Sequence, residues 1–163
     1  MLVPVVLHAT VPTILFTERT RNLLDHAGQV SFPGGSRELS DSGPVQTALR
    51  EAFEETGIDA SRVTPVGFLD GYLTITGYAV TPVVGLVTPG FELKPDPAEV
   101  AEIFEVPIAF LRDPANLQTR TGKWGKQVAS YYQFEYQQHV IWGATAAMLV
   151  DFLHKLMRSD THE

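Results

Sequence analysis

The chain contains no cysteine among its 163 residues. That excludes disulfides, a thiol nucleophile and a cysteine-ligated zinc site, and it fits a reducing compartment. Positive charge is also scarce: 12 lysines and arginines against 19 acids leave a formal net charge of −7. A broad electrostatic grip on nucleic acid needs a basic surface, so a nucleic-acid partner is not expected. A small phosphorylated ligand is compatible with that charge if a bound cation offsets it.

Long hydrophobic runs are missing too. The opening stretch MLVPVVLHATVPTILF is apolar, but Pro4, His8, Thr10 and Pro12 interrupt it and no early basic residue precedes it. It reads as two strands, not as a signal peptide or a membrane span, so no membrane partner and a cytoplasmic location are expected. There is no internal repeat, low-complexity tract or linker, which points to one domain over residues 1–163. The serines lack a G-x-S-x-G setting, which disfavours a serine hydrolase. His139, His154 and His162 have no metal-ligand spacing and receive no role.

What is present is a globular composition, 44% hydrophobic and 19% charged, enough for a core. Alternation predicts strands at 2–8, 12–17 and 28–32, the last halted by Pro33-Gly34-Gly35. A pair of strands is expected at 63–72 and 78–87 around LTITG. A strand at 99–107 should run into a short helix at 108–112, and residues 116–136 should form a hairpin turning at Gly122–Gly125. Ala144, Met148, Leu149, Phe152, Leu153 and Leu156 recur at helical spacing near the end. Strands separated by two main helices give an α/β class: a mixed β-sheet covered by helices.

The chemistry gathers in residues 44–56. Pro44 suits a first helical turn, Asp41 or Ser42 could cap it, and Gly57 suits a left-handed exit. Val45, Ala48, Leu49, Ala52 and Phe53 should form the packed face. At about 100° per residue, Glu51, Glu54 and Glu55 then occupy the other side, in the last turns, where they repel one another and oppose the helix dipole. A divalent cation bound between them reverses both penalties, and an oxygen-only ligand set favours Mg²⁺ or Mn²⁺. The competing reading, a solvated acidic face, is weakened by two neighbours. Arg50 is positioned to orient a carboxylate by a bidentate bond. The Gly34-Gly35 turn allows close approach to a ligand.

Gly35, followed by Arg50-Glu51-Ala52-Phe53-Glu54-Glu55-Thr56-Gly57-Ile58, resembles the signature of the Nudix hydrolases, here spanning residues 35–58. The glycine-to-arginine spacing is one residue longer than the common form, and Asp41 stands near the position of that form's first glutamate. The longer loop is similar to the coenzyme A pyrophosphatase branch. So is the preceding segment ILFTERTRNLLDHAGQVSFPGG, through Thr17, Arg19, His26, Gly28, Gln29, Phe32, Pro33, Gly34 and Gly35, with departures at Thr20 and Leu24. GYAVTPVVG (77–85) and VIWGATA (140–146) also resemble this branch.

The resemblance implies a Nudix-type α/β/α sandwich and a metal-dependent pyrophosphohydrolase that cuts coenzyme A to 3′,5′-ADP and 4′-phosphopantetheine. The alternatives are another nucleoside diphosphate derivative (ADP-ribose, a dinucleotide or a nucleoside triphosphate) or a non-catalytic nucleotide-binding domain. On this reading Glu51 and Glu55, with Glu54, hold Mg²⁺ or Mn²⁺, and Arg50 orients the acids. Glu54 is the first candidate general base, with Glu99 or Glu102 reaching in from a loop as the others. Arg19, His26, Gly34 and Gly35 are the candidate contacts to a nucleotide-like small molecule. Lys123 and Lys126, flanking Trp124, read as a solvated loop tip before a substrate contact; Trp142 and Phe152 read as core. A homodimer is an admissible assembly.

Overall fold

The computed structural model describes residues 1–22 and 26–160, with the side chains of 159 and 160 left aside. Leu24 and His162 lie outside the described residues. Strands β1 (Leu2–Val6) and β2 (Thr13–Arg19) arise where the two apolar runs were expected, and β3 is the short Val30–Ser31. Helix α1 spans Pro44–Thr56. The next pair is broken: β4 (Val63–Phe68) and β7 (Val83–Val87) form its base, β5 (Tyr72–Leu73) and β6 (Ala79–Val80) its tip. Gly71 and Pro82 sit at the breaks, and proline cannot donate to a ladder. Then follow β8 (Val100–Pro107), α2 (Ile108–Arg112), β9 (Leu117–Trp124), β10 (Gln127–Tyr136), β11 (His139–Trp142) and α3 (Gly143–Asp160).

Among the described residues six strands form a mixed sheet. β1 runs parallel to β7 and antiparallel to β2; β4 closes the far edge against β7. β8 takes one whole edge of β2, and β3 shares the other edge with β1. A second antiparallel sheet has the order β11-β10-β9. The registers of its turns are tight. Trp124 pairs with Gln127, leaving Gly125-Lys126, and Gly125 supplies φ 60° as a type II′ turn requires. The hairpin therefore turns two residues beyond the centre of the expected 122–125 segment. β11, unexpected from the sequence, is only four residues long.

β1 alternates sides within a fully buried strand. Leu2 and Val6 join Leu15, Ala48, Ala52, Val83 and Val87 beneath α1. Val3 and Val5 join Phe16, Phe134, Ile141, Leu149 and Leu153 on the side of α3 and the second sheet. The period-2 geometry of the strand thus places one helix on each face. Phe53 is a correction: it is 54% exposed, and the packed stripe of α1 is Thr47, Ala48, Ala52, Glu55 and Thr56. No helix among the described residues is long and apolar enough to cross a membrane.

Phe16 is fully buried and stacks on Phe32 at 5.1 Å and on Phe104 at 5.6 Å. Phe16→Ala removes the ring that joins β2, β8 and the 30–33 segment, and is expected to cost about 3–5 kcal/mol in urea unfolding. A loss below about 1 kcal/mol would show that this stack does not hold those three segments together.

Candidate active site

The C-terminal half of α1 carries the acids, and Arg50 organises them. Its Nε and Nη2 donate to the two carboxylate oxygens of Asp41 at 3.1 and 3.0 Å. Nη1 donates to Glu51 at 3.0 Å and to both oxygens of Glu54 at 3.2 and 3.3 Å; Nη2 also donates to the Ser36 carbonyl at 3.0 Å. Asp41 is 3% exposed. It accepts from Arg50, from the Glu38 N–H at 2.9 Å and from the Thr47 hydroxyl at 2.9 Å. The Arg50 bonds, then the Glu38 N–H, hold its carboxyl well below the usual range, and the Arg50 proton is held correspondingly more firmly. Asp41 is therefore the anchor of Arg50. The α1 N-cap is Gly43, without a side-chain cap.

The three glutamates do not share one environment. Glu54 faces solvent, its side chain 53% exposed. Glu51 is mostly covered, and burial raises its pKa despite Arg50. Glu55 is 5% exposed. Burial pushes its pKa up to about 7; the Gly34 N–H, 3.3 Å from Oε2, opposes this, while Glu99 and Glu51 add to it. The expected solvent-side arc is thus corrected: Glu55 belongs to the packed stripe and Glu51 borders it, and the 33–35 turn covers both. Gly34 has no room for a side chain, since a Cβ there would lie 2.6 Å from the Met1 Cα; a Cβ on Gly35 would lie 2.6 Å from the Glu51 carboxylate and would displace it.

The helix end is pinned as well. Gly57 exits at φ 79° with its N–H on the Phe53 carbonyl at 2.8 Å. Lys94 N–H and Asp96 N–H reach the carbonyls of Thr56 and Glu55 at 2.8 and 3.2 Å, satisfying acceptors the helix leaves open. This docks the 94–99 segment on the helix end, and the charge of Glu99 acts on both Glu51 and Glu55. Two mostly buried carboxylates with a third acid facing them form an all-oxygen, anion-rich donor set. Such a set fits a hard divalent cation.

Glu102 goes elsewhere. It joins Glu18 and His139 in a group whose ligating atoms all lie within 4.8 Å of one another. His139, 2% exposed, has Nδ1 3.1 Å from Glu18 and Nε2 3.4 Å from Glu102, and its ring stacks on Phe104 at 3.6 Å. A histidine given no role thus ties β11 to β2 and β8. Glu102 departs from its expected place because β8 pairs it with Glu18, whereas Glu99 precedes the strand.

A cleft of about 590 Å³ has none of these acids in its lining and meets them through Gly34, whose N–H donates to Glu55. Arg19, His26 and Gln29 line it as well. Arg19 Nε is buried with no hydrogen-bond partner among the described residues, a donor left available to a ligand. His26 holds φ 54°, its ring 3.0 Å from Gln29. Trp124 and Trp142, expected at a solvated tip and in the core, both line this cleft.

Residues 3–127 match the NUDIX domain model. The chain is 44% identical over 139 residues to the uncharacterized Nudix hydrolase NudL of Photorhabdus laumondii, covering 85% of this chain and 74% of that protein. It is 40% identical over 154 residues to the protein of the same name from Pectobacterium atrosepticum, covering 91% and 77%. The fold resembles the crystal structure of the M. smegmatis Nudix hydrolase RenU, with a TM-score of 0.65 and 17% identity over 97% of this chain and 83% of that one. The chain belongs to the Nudix family of hydrolases, whose members act on nucleoside diphosphate derivatives and generally use divalent cations.

Proposed function

We propose that this chain is a Mg²⁺- or Mn²⁺-dependent pyrophosphohydrolase of coenzyme A or its derivatives, releasing 3′,5′-ADP and the 4′-phosphopantetheine half. The observation that carries the reading is the Glu55 carboxylate, buried beside Glu51 and Glu99 with one long backbone N–H for a partner. Burying a carboxylate without a cation is costly. Glu51 and Glu55, with Glu54, would hold the ion, which supplies charge neutralisation and Lewis acidity at the diphosphate.

The chain's own groups divide the remaining work. Arg50, fixed by Asp41, orients Glu51 and Glu54. Arg19 and His26, which line the cleft together with Gly34, contact the phosphates. Glu99 is better placed than Glu54 to take the proton of the attacking water, because both oxygens of Glu54 already accept from Arg50. The coenzyme A assignment draws on the 14–35 segment, whose Arg19, His26 and Gln29 line the cleft.

Coenzyme A, ADP-ribose, NADH and nucleoside triphosphates should be incubated with and without Mg²⁺ or Mn²⁺ and the products resolved by chromatography. Cation-dependent release of 3′,5′-ADP from coenzyme A alone is expected; preferential cleavage of another member of the panel reassigns the substrate. Glu55→Gln is expected to lower turnover at least about 10²-fold, the scale of losing one transition-state charge contact, with the fold intact. Near wild-type hydrolysis would remove Glu55 from the ligand set.

The raised pKa of Glu55 gives a pH dependence to the metal-free protein. In the unfolded chain this carboxyl titrates near 4.5, and in the fold it holds its proton up to about 7. Between those values the folded state binds more protons, so stability falls as pH rises from about 4.5 to about 7. Glu51 adds in the same direction. Thermal midpoints measured in chelator should decline across that window and flatten in Glu55→Gln. A slope unchanged by the substitution would assign the effect to other groups.

A further inference from the structure

The cleft combines two kinds of lining. Among the described residues its only charged or imidazole side chains are Arg19 and His26. The apolar and aromatic part of the lining includes Tyr72, Ile75, Trp124, Tyr131, Trp142 and Met148, interspersed with threonine, serine and tyrosine hydroxyls. Ile75, on the 74–78 turn between β5 and β6, is 72% exposed. An occupant that matches both kinds of lining has an anionic head and an extended apolar arm.

The wall is built, not incidental. Gly122 and Trp124 stand two residues apart on β9 and so face the same side. A Cβ on Gly122 would lie 2.5 Å from Cη2 and 2.9 Å from Cζ3 of the indole. The absence of a side chain there lets Trp124 fold back against the strand. Its indole then meets Tyr131 edge-on at 5.6 Å, and Tyr131 meets Trp142 at 5.5 Å. The three rings support one another in a geometry that aromatic pairs prefer.

We propose that this wall receives the acyl chain of a thioester substrate, and that Trp124, seated on Gly122, sets which chain lengths are preferred over the free thiol. The inference rests on the hydrolase reading above and deepens it. The oxygen of water bonds to one phosphorus of the P–O–P anhydride and gives up a proton to the general base, the bond from that phosphorus to the bridging oxygen breaks, the bridging oxygen leaves on the other phosphate, and the thioester is carried through intact on the 4′-phosphopantetheine half. Each methylene moved from water onto the wall raises kcat/KM by up to about fourfold, through KM, until the cleft is filled.

The first test compares kcat/KM with Mg²⁺ for free, acetyl, hexanoyl and decanoyl coenzyme A. The wild type is expected to rise with chain length. Trp124→Ala and Gly122→Ala, the second by displacing the indole, are expected to bring the decanoyl-to-acetyl ratio close to one, while Trp124→Phe retains part of it. A ratio near one in the wild type, or one that Trp124→Ala leaves unchanged in a folded protein, overturns the proposal. The second test needs no hydrolysis. The chain has two tryptophans, and both line this cleft, so their emission reports its occupancy. S-decanoyl-pantetheine, which lacks the diphosphate, should perturb that emission at lower concentration than S-hexanoyl-pantetheine. No change up to the solubility limit overturns the proposal. Chain-length-dependent binding without cleavage of any coenzyme A form supports the cleft and refutes the hydrolase assignment.

Discussion

One guanidinium faces too many carboxylates. Arg50 meets Asp41, Glu51, Glu54 and, at 3.5 Å, Glu38, while Glu55 accepts from the Gly34 N–H and, among the described residues, is in no arginine hydrogen bond. Asp41 claims the fork of Arg50 in a bidentate bond, so the guanidinium fixes the helix to the 36–41 loop before it serves the other acids. The negative charge left over is concentrated where α1, the glycine turn and the 94–99 segment meet. Much of the local architecture follows from covering that charge while keeping its oxygens in place: two glycines where a side chain would meet Met1 or displace Glu51, a left-handed exit at Gly57, and backbone donors from Lys94 and Asp96. A folded protein tolerates such a cluster where function requires it, because local electrostatics do not select it.

The cleft extends the same logic from cation to substrate. Gly34 belongs both to the cleft lining and to the acid cluster, and Trp124, Tyr131 and Trp142 come from a separate sheet that, among the described residues, the main β-sheet does not pair with. β11 and His139 tie that sheet to β2 and β8 through Glu18 and Glu102. The position of Trp124 therefore depends on contacts remote from the acids. Change in the hairpin can alter what binds without disturbing the glutamates, the division of labour expected when function is carried by loops on a fixed scaffold.

Much of this was legible in the sequence because the signals are local. The span of α1, its glycine exit and the short helix after β8 follow from Pro44, Gly57 and apolar spacing within a dozen residues, whereas the expected Asp41 or Ser42 cap is not formed and Asp41 anchors Arg50. The acid cluster was legible because three glutamates in two turns contradict helix electrostatics. What escaped depends on distant partners. Phe53 has the spacing of a packed residue but is exposed, while Glu55, two residues on, takes the covered position beneath the glycine turn. Glu99 and Glu102 are indistinguishable as residues; only the β2–β8 register sends one to the acids and the other to His139. β11 was hidden because its four residues carry too little alternation. The seat of Trp124 had one available clue, a glycine two positions earlier inside a strand, which often marks close approach of another group.

The central claim is that a divalent cation replaces a proton at a buried acid. Calorimetric titration of Mg²⁺ or Mn²⁺ in two buffers of different ionisation enthalpy measures that exchange directly. With Glu55 titrating at about 7, binding at pH 6 should release about one proton per site, almost none at pH 8.5, and the release should disappear in Glu55→Gln. Binding heats that do not depend on the buffer at pH 6, or proton release that persists in the variant, would contradict the account.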